Sequence, residues 1–219
     1  QGSYTYVLGL LNGFKKLRNI KFQIYVSNSV PSGFINKFEK DKNFKIIFVK
    51  NKKKYFELFF QYVIIFFGLV KIYLNKTHYY VTNYLNKDFK TSVEKNSDVL
   101  IFLNVNETHY NLHCKTIINF HDLIHEKRSD LISFKQKILR KVIFYNSARY
   151  ASKIVASSKA MKQDFLETFE FLNPNDVNVI SEGVDLELFK IKKKDKEIIK
   201  KYKLPKKFIF FPAQLWKHK

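Results

Sequence analysis

One stretch of the chain contains a strand pattern, a helix pattern and a second strand pattern in succession: Thr116 to Ala156 reads TIINFHDLIHEKRSDLISFKQKILRKVIFYNSARYASKIVA. Thr116–Phe120 and Lys153–Ala156 are short apolar runs rich in β-branched residues, which is typical of buried strands. Leu131–Tyr150, between them, has the period of an amphipathic helix. This succession predicts an α/β fold with a largely parallel sheet. The apolar face predicted for the helix is formed by Leu131, Phe134, Ile138, Val142 and Tyr145.

The same alternation continues on both sides of this stretch. Tyr4–Leu17 is predicted to form a helix that follows a turn at Gly2, and Ser157 or Ser158 is predicted to cap a helix that runs to about Phe169. A lysine-rich stretch with some helical character, at Ile191–Lys207, precedes the last predicted strand. The further predicted strands are Phe22–Ser27, Phe44–Val49, Val99–Val105, Val177–Ile180 and Phe208–Phe211.

The composition is that of a globular, intracellular protein. Of the 219 residues, 46% are hydrophobic and 27% are charged, which excludes a disordered or low-complexity chain. Cys114 is the only cysteine, so the chain cannot form an internal disulfide framework or a cysteine-rich zinc site, and a reducing compartment is expected. Because the sequence starts and stops inside patterned segments, we expect a fragment cut at both ends.

The chain is strongly basic, with 40 lysine and arginine residues, 19 acidic residues and a formal net charge of +21. Such a charge favours nucleic acid, anionic membranes or phosphorylated ligands as partners. An AT-rich genome explains the same excess, since Asn, Lys, Ile, Phe and Tyr are all plentiful. Arginine, the residue that most often reads bases, is scarce here. One open interpretation is therefore a non-enzymatic basic module that binds nucleic acid or anionic membrane.

Tyr55–Leu74 is the most apolar segment of the chain. Its uncharged part, Leu58–Val70, is well short of the roughly 20 residues that span a bilayer. We therefore expect a buried helix, or one that lies along a membrane surface.

Ligands of parallel sheets lie beyond the carboxyl ends of the strands. His121 directly follows an apolar strand, so its imidazole is predicted to contact a ligand, with an ordinary surface turn as the alternative. The polar groups that follow the four relevant strands are His121-Asp122, Ser157-Ser158, Ser181–Asp185 and Ala213-Gln214.

Two histidine pairs, His121 with His125 and His109 with His113, have the four-residue spacing of a helical metal pair. No third ligand accompanies either pair in the sequence, so no metal site is predicted. The chain has no phosphate-binding P-loop, no G-x-G-x-x-G and no G-x-S-x-G, which leaves the common nucleotide signatures and a serine hydrolase without support.

Five segments are informative through their order. They are a glycine-led helix at Gly2–Leu17, IINFHDLIH at Ile117–His125, IVASSKAMKQDFL at Ile154–Leu166, VISEGVDLELF at Val179–Phe189 and FFPAQLWKHK at Phe210–Lys219. Together they resemble the family 4 (group 1) glycosyltransferases of the GT-B fold. The C-terminal part of the chain carries most of the resemblance, and its last segment looks most like bacterial mannosyltransferase-type members.

The resemblance implies two Rossmann-like domains, each a mostly parallel sheet with helices on both faces, that face a cleft. Residues 1–185 would form the acceptor-side domain without its first strand. Residues 186–207 would form the interdomain linker, and 208–219 the first strand of a truncated nucleotide-sugar-binding domain. The chain alone is therefore expected to be inactive.

The resemblance also implies roles for individual residues. His121 matches the histidine near the transferred sugar and is the expected catalytic residue. Gly2 matches the glycine-rich loop whose amides approach the donor diphosphate, and Lys219 matches the lysine that neutralises the donor phosphates. Gln214 stands at a donor-side position where many members have arginine.

A second group of residues is expected to lie at the hinge and cleft. Gly183 and Asp185 match the Gly-Val-Asp segment that enters the hinge, and Ser157 is a further candidate at the cleft. Glu182 stands where many members have asparagine, which weakens the case for a role of this side chain.

The implied activity is transfer of a sugar, with mannose as the candidate, from a nucleotide-sugar donor to a glycan or lipid-linked acceptor, with retention at the anomeric carbon. Lysine and backbone amides would stabilise the departing diphosphate, so neither a metal nor another cofactor is expected. Such an enzyme would serve bacterial cell-envelope polysaccharide biosynthesis in the cytoplasm. It would contact the anionic inner face of the plasma membrane peripherally and would not need nucleic acid.

Overall fold

The computed structural model describes residues 2–27, 30–49, 87–103, 112–184 and 196–210. Every strand pair in these residues is parallel, which confirms the predicted α/β class. The strands are β1 (Phe22–Ser27), β2 (Phe44–Val49), β3 (Val99–Phe102), β4 (Lys115–Phe120), β5 (Lys153–Ala156) and β6 (Val177–Val179). The helices are α1 (Gly2–Phe14), α2 (Ser32–Ile35), α3 (Lys87–Asn96), α4 (Ile124–Lys127), α5 (Phe134–Tyr150), α6 (Lys159–Thr168) and α7 (Lys196–Lys201).

The described strands form two sheets. β1 pairs with β2 in one sheet, and the second sheet has the order β3-β4-β5-β6. Phe120 is in register with Ala156, and Ala156 with Val179, so β4, β5 and β6 end at one edge. This common edge is where a ligand of a parallel sheet is expected to bind.

The four-stranded sheet packs against α5 and α6 through an apolar core. Within it, the ring of Phe120 lies 4.6 Å from that of Phe165 and 5.1 Å from that of Phe144, centroid to centroid. Each buried side chain of this size stabilises the fold by roughly 1.5–3 kcal/mol relative to exposure. The buried apolar residues of this core are Ile118, Phe120, Leu123, Phe144, Ala148, Ile154, Ala156, Phe165, Phe169 and Val177.

A second core lies between α1, α2 and the two-stranded sheet. Phe14, Phe22 and Phe44 stack in a row, with ring centroids 4.8 Å and 5.3 Å apart. The buried residues of this core are Leu11, Val26, Phe34, Ile35, Phe38 and Phe44.

Serine side chains fix the starts of the two long helices in the C-terminal half. Ser133 precedes α5 and forms a capping box with Gln136, which satisfies backbone amides that a helix leaves unpaired at its start. Ser158 precedes α6 and accepts a hydrogen bond from the amide of Met161 at 3.1 Å. Of the two serines considered as caps, the structure therefore selects Ser158.

The predicted face of α5 is wrong in part. The helix begins at Phe134 rather than Leu131, and the side chain of Phe134 is 66% exposed. The buried positions are Val142, Phe144, Asn146, Ser147 and Ala148. They lie in the half of the helix that packs on the sheet, whereas Phe134 lies in its first turn.

The chain divides into two compact units, Gln1–Glu182 and Gly183–Lys219. In the second unit, α7 ends at a Schellman motif: Lys203 has a φ of 49°, and the amide of Leu204 donates to the carbonyl of Ile199 at 3.0 Å. Residues 208–210 belong to no sheet of the described residues, so the strand predicted to begin at Phe208 is not formed there. A strand without a neighbour leaves its backbone groups unpaired.

Two further predictions fall wholly or partly outside the described residues. The apolar segment Tyr55–Leu74 lies outside them, as do residues 104–105 of the predicted strand Val99–Val105, whose described part ends at Phe102 rather than continuing through Leu103. Among the helices of the described ranges, none has the length and apolar character to span a bilayer.

Candidate functional site

The candidate site lies at the carboxyl edge of the four-stranded sheet. β4 is an inner strand, and Thr116, Ile118, Asn119 and Phe120 are all buried in it. Because the last three residues of the strand are buried, the chain returns to solvent where β4 ends. His121 is the next residue, and its half-buried side chain is 26% exposed.

Both nitrogens of the His121 imidazole face hydrogen-bond acceptors. Nδ1 lies 3.1 Å from Oε1 of Glu182, and Nε2 lies 3.2 Å from the carbonyl oxygen of Leu103. A neutral imidazole donates from only one nitrogen, so it can satisfy one of these acceptors, whereas the doubly protonated ring can satisfy both. The ring thus joins the segments that follow β3, β4 and β6.

Tyr6, from α1, holds the same ring from the side. The two rings meet edge to face, with centroids 5.0 Å apart and planes at 88°. The Tyr6 hydroxyl accepts a hydrogen bond of 2.7 Å from Nδ2 of Asn119, which is buried at the end of β4. Burial, and next the charge of Glu182, raise the pKa of the Tyr6 phenol above its usual value. The hydroxyl therefore keeps its proton at neutral pH.

We call Tyr6, Leu103, Asn119, His121 and Glu182 the carboxyl-edge cluster. It contains one carboxylate, one imidazole, one amide and one phenol, which are groups that orient hydroxyls and other polar ligand atoms by hydrogen bonds. It contains no cysteine or serine nucleophile. The cluster is therefore suited to orienting polar ligand atoms by hydrogen bonds and to placing the negative charge of its carboxylate near them.

Asp122 turns away from this cluster. Its Oδ1 accepts from Nη1 of Arg140 at 2.9 Å and from the amide of Ile124 at 3.2 Å. The carboxylate thus fastens α4 to α5. The two polar residues that follow β4 therefore have separate tasks, and only His121 joins the edge.

His125 is also separated from the cluster. Its side chain is fully buried and its ring packs against Phe144. Among the described residues, no group of three or more histidine, cysteine or acidic side chains could hold a metal ion. His113 is exposed at the amino end of β4, and His109 lies outside the described residues.

The other residues singled out by sequence fall into three groups. Ser157 directly follows β5, at the edge where His121 follows β4. Gly2 is the first residue of α1, so the turn predicted at Gly2 before the helix is not found, and the helix ends at Phe14 rather than at Leu17. Gly183 follows Glu182 without a positive φ, and a Cβ placed there would meet nothing within 4 Å, so this conformation does not demand glycine. The remaining predicted site residues, which lie outside the described residues, are Asp185, Gln214 and Lys219.

Sequence reasoning missed Tyr6 and Asn119 as site residues, and it placed Glu182 in the segment Ser181–Asp185 at the carboxyl edge but gave its side chain no role. Asn119 carried a usable signal, because it is a polar residue inside the apolar run TIINF. Tyr6 is 113 residues away from its partner Asn119, and Glu182 is 61 residues away from His121. No local pattern encodes such distances.

No protein-family model matches the chain, and no curated protein matches it either. Among solved structures, the crystal structure of Anabaena Alr3699/HepE in complex with UDP is similar, with 15% sequence identity and a TM-score of 0.45. The similar region covers 82% of this chain and 42% of that chain, so this chain spans less than half of that protein's length. We base no functional assignment on so distant a likeness.

Proposed function

We propose that the chain is the acceptor-side part of a retaining glycosyltransferase that takes its sugar from a nucleotide-sugar donor. The observation that carries the proposal is the position of His121, whose ring lies at the carboxyl edge of a parallel sheet and is oriented there by three neighbours. It is supported by the ordered resemblance of Ile117–His125, Ile154–Leu166 and Val179–Phe189 to family 4 glycosyltransferases.

In the proposed reaction, the bond between the anomeric carbon and the diphosphate oxygen breaks while the acceptor oxygen adds on the same face of the sugar. The sugar passes through an oxocarbenium-like state, the electron pair of the broken bond stays on the diphosphate, and the acceptor proton passes to it. The imidazole of His121 would hold a hydroxyl of the transferred sugar by a hydrogen bond. Correct placement of reacting groups alone accounts for large rate factors in enzymes.

The remaining assignments complete the proposal. The amides at Gly2, where α1 begins, and the ammonium of Lys219 would stabilise the departing diphosphate, with Gln214 nearby, and no metal would be required. Ser157, Gly183 and Asp185 would line the cleft and hinge. Mannose is the proposed sugar, and a glycan or lipid-linked molecule at the inner face of the plasma membrane is the proposed acceptor.

The test is a panel of nucleotide-sugars with the full-length natural protein and its His121→Ala variant. We expect one donor to support transfer with retained anomeric configuration, and His121→Ala to lower kcat by on the order of 100-fold. The matched control is His113→Ala, which removes an exposed imidazole at the opposite end of the same strand and should leave kcat unchanged. Absence of transfer from every donor, or an unchanged kcat in His121→Ala, would contradict the proposal.

The net charge of +21 favours one second candidate, a basic module that binds polyanions. The 19 acidic residues can pair with fewer than half of the 40 basic ones, so much of the positive charge is left for a partner. This candidate predicts binding to DNA or anionic vesicles that weakens steeply with salt. Weak binding at physiological salt, together with transfer activity, would dismiss it.

A further inference from the structure

The two hydrogen bonds of the His121 ring are not equivalent. Glu182 offers a carboxylate to Nδ1, whereas Leu103 offers a neutral backbone carbonyl to Nε2. Hydrogen bonds to a charged acceptor are shorter and stronger than those between neutral groups. When the ring carries a single hydrogen, that hydrogen therefore belongs on Nδ1.

This assignment leaves the lone pair on Nε2, the nitrogen that faces the carbonyl oxygen of Leu103. In the neutral ring, the lone pair of Nε2 would face the lone pairs of the Leu103 carbonyl oxygen, 3.2 Å away, which is an unfavourable pairing. A ligand hydroxyl that donates to Nε2 would replace this contact with a hydrogen bond. The ring would keep its orientation meanwhile, because Glu182 and Tyr6 hold it from other sides.

The backbone path after β6 places Glu182 beside His121. β6 ends at Val179, but the amide of Ile180 still donates to the carbonyl of Ala156 at 3.0 Å, so the chain stays tied to β5 until shortly before Glu182. Glu182 is the last residue of the first compact unit, and its side chain reaches back to the residue that follows β4.

We infer that Glu182 is a positioning residue for His121: its carboxylate commits the hydrogen of the ring to Nδ1 and leaves Nε2 to accept from a ligand hydroxyl that displaces the Leu103 carbonyl. The inference rests on the proposed function for the identity of that ligand, a sugar hydroxyl. The pairing of the two side chains is independent of it. Since the His121 and Glu182 side chains are 26% and 50% exposed, their contact contributes little to folding, and it can be removed without unfolding the protein.

The first test measures which nitrogen of the His121 ring carries the hydrogen. Long-range ¹H–¹⁵N NMR spectra of the 219-residue chain at alkaline pH report which nitrogen of His121 carries the hydrogen. We expect Nδ1 in the wild type and in Glu182→Gln, whose amide oxygen still accepts, and loss of this preference in Glu182→Ala. Glu170→Ala, which removes an exposed carboxylate, is the matched control and should reproduce the wild type.

The second test asks whether Glu182 acts through His121. In the full-length natural protein, Glu182→Ala should lower kcat about tenfold or more while the KM for the donor changes less than about twofold, since uniform binding is not affected. The double variant His121→Ala/Glu182→Ala should be no slower than His121→Ala alone, because residues that act as a unit are not additive.

The outcomes of these tests distinguish failure of the positioning role of Glu182 from failure of the proposed glycosyltransferase function. An unchanged His121 spectrum in Glu182→Ala, or a double variant whose loss equals the product of the single losses, would overturn the positioning role. If no donor supports transfer but the spectra change as expected, the role of Glu182 in orienting His121 stands and the proposed function fails.

Discussion

The imidazole of His125 lies against the ring of Phe144, with 4.4 Å between the two centroids and 67° between the planes. Both side chains are buried, and neither nitrogen of His125 forms a hydrogen bond with any part of the chain that the structure describes. Burial, and next the positive charge of Arg140, lower the pKa of His125 from 6.5 to about 4. Lys141 acts in the same direction and Asp122 opposes it.

This histidine predicts a pH-dependent stability. Because the folded pKa, about 4, lies below the unfolded value of 6.5, the unfolded chain takes up the proton first as the pH falls. The free energy of unfolding should therefore drop between pH 6.5 and pH 4, by up to about 3 kcal/mol. His125→Leu should remove this part of the loss, as measured by urea unfolding at pH 7.5 and pH 4.5.

The control for this measurement is His113→Leu, which removes an exposed histidine and should keep the pH dependence of the wild type. Glu126 is the carboxylate that faces the ring, but its Oε1 is 3.9 Å from Nε2 and is paired with Lys141 at 3.3 Å. Parallel loss of stability in the wild type and His125→Leu would show that other groups cause the acid sensitivity.

Tyr6→Phe tests the link between α1 and β4. The substitution removes the hydroxyl that accepts from Asn119 and leaves a buried amide hydrogen unpaired. We expect a loss of about 1–3 kcal/mol in the free energy of unfolding. Tyr145→Phe removes the same atom from a half-buried ring that has no hydrogen bond within the described ranges, and it should change stability by less than about 0.5 kcal/mol. Equal losses in both variants would contradict the link.

Phe165→Ala tests the core below the carboxyl edge. Phe165 is fully buried, with ring centroids 4.6 Å from Phe120 and 5.9 Å from Phe169. Its removal should cost about 3–5 kcal/mol by chemical denaturation. Phe134→Ala deletes the same ring at a position that is 66% exposed and should cost less than about 0.5 kcal/mol. A large loss in Phe134→Ala would restore the face of α5 that the sequence predicts.

Ser133→Ala tests the start of α5. The Ser133 hydroxyl accepts from the amide of Gln136, and the Gln136 side chain accepts from the amide of Ser133. Loss of the hydroxyl should lower the free energy of unfolding by about 1 kcal/mol. The matched control is Ser181→Ala, at an exposed serine in the same compact unit, which should have no measurable effect. If both serines give the same result, the capping box does not stabilise the helix.

The helix α5 shows why its C-terminal end was predicted correctly and its buried face only in part. The C-terminal end, Tyr150, agrees with the sequence, because Ala151 and Ser152 separate the helix from the strand that follows. The face agrees only in part, since Val142, Ile143, Phe144 and Tyr145 form a continuous apolar run that fits several helix orientations. Only packing on the sheet decides among them.

The strands were predicted best where an apolar run is short and bounded by polar residues. β1, β2 and β5 have the predicted limits, Phe22–Ser27, Phe44–Val49 and Lys153–Ala156. Their pairing was predicted only as largely parallel. The separation of the described strands into a two-stranded and a four-stranded sheet depends on contacts between distant segments, which local patterns do not specify.

By itself, the sequence determined the α/β class, the limits of three of the six described strands and the position of His121 after an apolar strand, because strand propensity and apolar periodicity are local properties of the chain. Only the tertiary structure decided that Glu182 and Tyr6 hold the ring of His121, and that His125 belongs to the core. Those contacts join residues as far apart as 61 positions for Glu182 and 113 for the Tyr6–Asn119 bond. The Glu182 contact arises from the parallel register of β4, β5 and β6, which brings the ends of separate strands to one edge, whereas Tyr6 reaches that edge from α1.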